Sequence, residues 1–128
     1  MKKILQLLFI SGLVIGACRQ SGKEQLKEFI PGNYIRAISH EFAIGSDTLI
    51  VSRMEDQENT FRLIKNAGFR QRRDGILLPL RHTTDTWVAV LDPETGLLHE
   101  TRRGKVIYFN RQERCLLVGS SKYFKADH

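Results

Sequence analysis

The side chains able to do chemistry in this 128-residue chain are few and scattered. The histidines are His40, His82, His99 and His128. None forms an HxH or HxxxH pair, so spacing supplies no metal-ligand set. His40 and Glu41 are adjacent, and on a strand they would point to opposite faces and could not share an ion. Ser39, Ser46, Ser52, Ser120 and Ser121 lack the glycine-flanked elbow that exposes a nucleophile. Glycine-rich phosphate loops are absent as well. No catalytic residue, metal site or cofactor is nominated, and the chain reads as a non-catalytic protein. The two cysteines differ in setting. Cys115 lies in the apolar run Cys115-Leu116-Leu117-Val118 and reads as a small buried hydrophobe. Cys18 ends Ile15-Gly16-Ala17-Cys18, where two small residues let the backbone enter a narrow peptidase site beside a nucleophilic thiol.

Binding chemistry is better represented. Arg70, Arg72 and Arg73 flank Asp74-Gly75, and Arg102, Arg103 and Lys105 flank Gly104. Each cluster falls at an expected hairpin tip, and tips brought together would form an anion-attracting rim. Arginine dominates, and guanidinium pairs bidentately with phosphate or carboxylate. Candidate partners are an acidic protein face, anionic headgroups or lipopolysaccharide phosphates. Nucleic acid is disfavoured by the modest net charge. A second candidate is a cup lined by Tyr34, Phe42, Trp87, Tyr108 and Tyr123, which would carry a small molecule or lipid.

The N-terminus supplies an address. Met1-Lys2-Lys3 is a short positive region, and residues 4–17 form an apolar stretch broken by Gln6 and Ser11. A spanning helix needs about 20 apolar residues, so this stretch has the length of a secretory signal. With Ile15-Gly16-Ala17-Cys18 at its end, it resembles the lipobox of bacterial lipoproteins. That resemblance implies a signal peptide over 1–17, acylation of Cys18, and a membrane anchor made by several acyl chains. Arg19 rather than aspartate follows the cysteine, which implies outer-membrane attachment facing the periplasm. Lys2 and Lys3 leave with the signal, so the mature chain carries 18 basic and 14 acidic residues, a formal +4. Lipidation of Cys18 leaves Cys115 alone, so no intramolecular disulfide forms.

Positioning these residues falls to a single domain, since 128 residues allow one. Residues 18–28 read as a tether or short helix, and 29–128 as one all-β domain. Strands are expected over Asn33–Ile38, Thr48–Met54, Thr60–Lys65, Phe69–Arg73, Ile76–Leu80, Thr86–Leu91, Leu97–Arg102, Val106–Phe109 and Cys115–Val118, with Tyr123-Phe124 last. Asp74-Gly75 is the strongest hairpin signal, and Asp92-Pro93-Glu94-Thr95-Gly96 a clear turn. This is an antiparallel meander of about eight short strands, forming a small barrel or a curved sheet. The expected core is Phe42, Leu49, Val51, Phe61, Leu63, Leu78, Trp87, Ala89, Leu91, Ile107, Phe109, Leu117 and Phe124.

Five segments span nearly the whole domain: Phe29-Ile30-Pro31-Gly32-Asn33-Tyr34-Ile35-Arg36, His40-Glu41-Phe42, Asp47-Thr48-Leu49-Ile50-Val51, Arg73-Asp74-Gly75, and Gly119 to Lys125. Together they resemble small lipoproteins of Bacteroidota found near mobile or conjugative elements. The resemblance implies an accessory role in the envelope and carries over no catalytic residue. Gly119-Ser120-Ser121-Lys122-Tyr123 is also similar to a loop of the periplasmic lysozyme-inhibitor lipoproteins. The serine-glycine order and the disulfide of that family are missing here. A +4 chain would moreover be repelled by a basic lysozyme. The expectation is therefore a lipid-anchored binding or envelope-assembly module, with a carrier as the alternative.

Overall fold

The computed structural model describes residues 22–126, so the expected signal peptide over 1–17, Cys18 and His128 lie outside the described residues. Nine strands follow one short helix. They are β1 (Gly32–His40), β2 (Ala43–Arg53), β3 (Thr60–Arg73), β4 (Ile76–Leu77), β5 (Arg81–Leu91), β6 (Leu98–Glu100), β7 (Val106–Asn110), β8 (Cys115–Val118) and β9 (Ser121–Lys125). Apart from β4, each strand pairs antiparallel with the next in order, β2 pairs β3, and β9 returns to β1. Eight strands thus close into an up-and-down barrel. Closure leaves few unpaired strand edges, the hazard a curved sheet would have kept.

Alternation explains which residues face inward. On β2, β3 and β5 the positions that build the core are Leu49 and Val51, Phe61 and Leu63, and Trp87, Ala89 and Leu91. They join Ile30, Tyr34, Leu98, Ile107, Phe109, Leu116 and Tyr123 in one cluster. An apolar interior is the reverse of a transmembrane barrel, whose lumen is polar. Strands β6 to β9 have only 3 to 5 residues, against the roughly 9–11 needed to cross a bilayer.

One end of the barrel is plugged. Residues 22–29 are helical (α1), with Leu26, Phe29 and Ile30 spaced to share a face. Ile30 is fully buried, and Leu26 and Phe29 pack on the core. Phe29 meets Tyr34 and Phe109 edge-on, each at 6.3 Å between ring centres. The Tyr34 hydroxyl donates to the carbonyls of Ile30 (2.9 Å) and Phe29 (3.1 Å), and the Lys125 ammonium also donates to Phe29 O. These bonds satisfy carbonyls that a helix end leaves unpaired. Arg53 Nη2 donates to Lys27 O at 2.8 Å, tying the plug to the β2 wall. Plug and barrel share one hydrophobic core, and β1 and β9 close the wall around it.

The opposite, far end is uneven. Strands β1, β2, β3 and β5 have 9, 11, 14 and 11 residues. They rise past the short β6–β9 side as an extension with solvent on both faces. Strand β3 is continuous through Asn66-Ala67-Gly68, where the sequence suggested two strands. Ala67 pairs with both Asp47 and Thr83 and points inward, so no turn forms there. Asp74 and Gly75 both have positive φ (54° and 77°), as a two-residue type I′ hairpin turn requires. The returning strand stops at Leu77 because Pro79 has no N–H to give the ladder. Arg72 pairs with Leu77 but Phe69 with Arg81, so Leu78–Leu80 contains one extra residue. That bulge sits at the rim, where such kinks re-aim side chains.

Four expected core residues fall elsewhere. Phe42 occupies the β1–β2 turn and is exposed, and Leu78 lies half-buried in the bulge. Leu117 and Phe124 lie on the outer wall, opposite Tyr108 and Ile35 respectively. In each case a neighbour takes the interior position, Leu116 and Tyr123, because a one-residue shift of register exchanges the two faces.

Candidate functional site

The basic clusters predicted from the sequence both lie at the far end, but at different heights. Arg70, Arg72 and Arg73 end β3, while Arg102, Arg103 and Lys105 surround the β6–β7 turn beside Asp85 and Trp87. Strand β5 places Asp85 opposite Lys65. Arg72 is seven residues further along β3, about 23 Å at the usual strand rise. The six cations therefore form two groups, not one rim. Arg70 Nε donates to Leu78 O at 2.9 Å, bracing the bulge. The Arg102 and Arg103 N–H groups donate to the Glu100 carboxylate at 2.9 and 2.7 Å.

Around the lower group is a polar belt that the sequence did not announce. Tyr123 OH donates to Asp47 Oδ2 at 2.7 Å, and the Lys65 ammonium lies 3.5 Å from the same oxygen. Asp47 is only 2% exposed, and its Oδ1 accepts no protein hydrogen bond among the described residues. Trp87 Nε1 donates to Asp85 Oδ2 at 2.8 Å. Lys105 and Lys65 lie over the Trp87 ring, 4.3 and 5.9 Å from its centre. Arg36 sits 6.0 Å from the Tyr123 ring centre and reaches Ser121 Oγ. The belt caps the apolar core with charges that are already paired.

Protonation follows from these contacts. The bond from Trp87 holds the Asp85 carboxyl below the usual range, helped by Thr86 N–H, Arg103 and Lys105 against a smaller opposing effect of burial. Burial pushes Glu100 upward, but the N–H groups of Arg103, Arg102 and Lys105 together with the Lys105 charge outweigh it, and the group ends low. Both carboxylates are held ionised and are engaged in bonds. Burial, then the bond to Asp47, raises the Tyr123 phenol above its ordinary value. These groups brace one another; none is a free nucleophile beside a free base.

The upper group is different in kind. Arg72 N–H donates to Phe42 O at 2.7 Å, so the β1–β2 and β3–β4 turns form one surface. A cleft of about 550 Å³ between them is lined by Glu41, Phe42, Arg72, Asp74, Gly75 and Leu77. Exposed apolar side chains cluster here: Phe42, Ile76, Leu77 and Leu80.

The aromatic cup does not assemble as a cavity. Tyr34, Trp87 and Tyr123 fill the interior, while Phe42 and Tyr108 face solvent. Cys115 is fully buried, and burial pushes its thiol up, away from reactivity. A groove of about 870 Å³ runs beside the plug, lined by residues that include Lys27, Arg53, Glu55, Glu58 and Phe61. Its mixed charges select no ligand class. Among the described residues, no group of three or more His, Cys, Asp or Glu side chains could hold a metal ion. No family profile, curated protein or solved structure matches the chain, so its role must be read from its own residues.

Proposed function

We propose that this protein is a lipid-anchored module of the bacterial envelope that binds a partner through the far end of its barrel and catalyses no reaction. The observation that carries the reading is the polarity of the fold. The plugged end begins at Gly22, four residues after Cys18, a span of at most about 14 Å. An acyl anchor on Cys18 therefore holds the plugged end close to the membrane. The opposite end carries the two-tip surface with Arg70, Arg72 and Arg73. Its resemblance to small Bacteroidota lipoproteins fits an accessory role facing the periplasm. The filled interior favours surface binding over internal carriage of a small molecule or lipid.

The test is crosslinking in living cells with the tagged chain, a Cys18→Ser control, and charge reversals. Capture should require Cys18, and should be abolished by reversing Arg70, Arg72 and Arg73 together. Reversal of Arg102 should spare it, because that residue belongs to the separate lower group. Capture that survives the three reversals would refute the assignment of the binding end.

A further inference from the structure

The upper tip combines two properties that a surface rarely presents together. Phe42, Ile76, Leu77 and Leu80 are 67, 66, 39 and 56% exposed, on the β1–β2 turn, on β4 and in the bulge that follows it. Around them stand Arg70, Arg72, Arg73 and Arg81, with Glu41 and Asp74 as the countercharges. Exposed apolar groups contiguous over two turns mark a contact surface, since they gain nothing from water. We infer that this tip docks on an anionic phospholipid bilayer, with the four apolar side chains entering the headgroup region and the arginines pairing with lipid phosphates.

Shape and charge favour a bilayer over a protein. The exposed apolar groups stand on both sides of a cleft, with Phe42 and Leu77 in its lining, and a protein partner would need a surface moulded to this relief. A fluid interface adapts to it. Arginine stems lie along apolar surface while their heads remain at the phosphate level, and the planar fork matches phosphate oxygens. Each arginine near an anionic surface strengthens binding about fivefold. With the plugged end at most about 14 Å from the anchor, a barrel lying on its side sets the tip on the bilayer that holds the anchor. The inference rests on the far end being the binding end, as proposed above.

The experiment uses residues 19–128, which carry barrel and plug but no anchor. The protein is floated with phosphatidylethanolamine–phosphatidylglycerol vesicles and with phosphatidylcholine vesicles. An environment-sensitive dye is placed at Phe42→Cys, or at Tyr108→Cys on the wall; buried Cys115 leaves the new thiol as the site labelled. Flotation should occur with the anionic vesicles and fade when salt shortens the Debye length to about 3 Å. Dye emission should shift to the blue at position 42 and stay unchanged at 108. Phe42→Ser with Leu80→Ser should weaken binding at least about tenfold, and Arg72→Gln with Arg73→Gln about 25-fold. Trp87 emission verifies that each variant is folded.

No flotation by a folded chain, equal flotation with both lipids, or indifference to the tip substitutions would overturn the inference. So would binding that appears only when the vesicles carry lipopolysaccharide. If vesicles are ignored while tip-dependent crosslinking to a protein persists in cells, the bilayer assignment falls and the binding end stands. If that crosslinking is also absent, both fall.

Discussion

Tyr123→Phe probes the barrel at its seam. Tyr123 lies on the closing strand β9, and its hydroxyl reaches across β1 to Asp47 on β2. The substitution keeps the buried ring and removes one hydrogen bond to a buried carboxylate. Bonds to charged acceptors are worth about 1.5–3 kcal/mol. The upper half of that range applies, because among the described residues Asp47 would keep Lys65 at 3.5 Å while its Oδ1 accepts no hydrogen bond. With a urea slope near about 1 kcal/mol per molar for a domain of this size, the midpoint should fall by about 2–3 M. Alkaline pH gives a second reading. Tyr123 is raised above its ordinary 10.0, so the folded chain keeps a proton that the unfolded chain loses. Its contribution is complete below pH 10 and is lost as pH rises above it. Wild-type stability should therefore decline more steeply than the variant's, by about 1.4 kcal/mol per pH unit. Tyr34, Cys115, Lys122 and Lys125 also shift, but they are common to both chains and cancel in the difference. Urea titrations read by Trp87 emission at neutral pH and above pH 10 measure both quantities. An unmoved midpoint together with parallel alkaline slopes would refute the seam account.

Other expectations follow from single positions. A Cβ at Gly45 would lie 2.1 Å from Gly68 O and 2.6 Å from Phe69 Cα, both backbone atoms of the neighbouring strand. Gly45→Ala should therefore destabilise by about 1–3 kcal/mol, read as a lowered melting temperature. Ile30→Ala removes a fully buried side chain under the plug and should cost about 2–5 kcal/mol. Glu28→Ala, on the exposed face of α1, should melt like wild type. Cys115 should resist thiol reagents at neutral pH until urea unfolds the chain, and rapid labelling of the folded protein would contradict its burial.

How much of this was legible in the sequence depends on the range of the interaction involved. Local signals read well: Asp74-Gly75 named its own hairpin, and the strand pairs Leu49/Val51 and Phe61/Leu63 named their inward face. Closure was not local. It depends on β9 meeting β1 at Tyr34–Lys125 and Ile35–Phe124, pairs about 90 residues apart in the chain, and nothing in either strand specifies that pairing. The Tyr123-Phe124 and Leu116-Leu117 dipeptides are ambiguous by nature, since either member could face inward until the register is set. The polar belt was invisible for the same reason. Asp47, Lys65, Trp87 and Tyr123 are far apart in the chain and meet only when β2, β3, β5 and β9 share a barrel. An acidic residue between strand-forming Ser46 and Thr48 was the one available clue, because Asp47 falls on the inward period of Leu49 and Val51. The arginine clusters were found, but their separation in height depends on β3 having 14 residues where two shorter strands were expected.

The most direct test of the account places a photoreactive side chain at Leu77 on the far-end tip, or at Gln25 on the plug, in the full-length chain in cells. The account predicts that adducts from Leu77 disappear when Arg72 and Arg73 are reversed, while the contacts of Gln25 beside the anchor are unchanged. Adducts from Leu77 that ignore the arginines, or adducts from Gln25 that vanish with them, would contradict it.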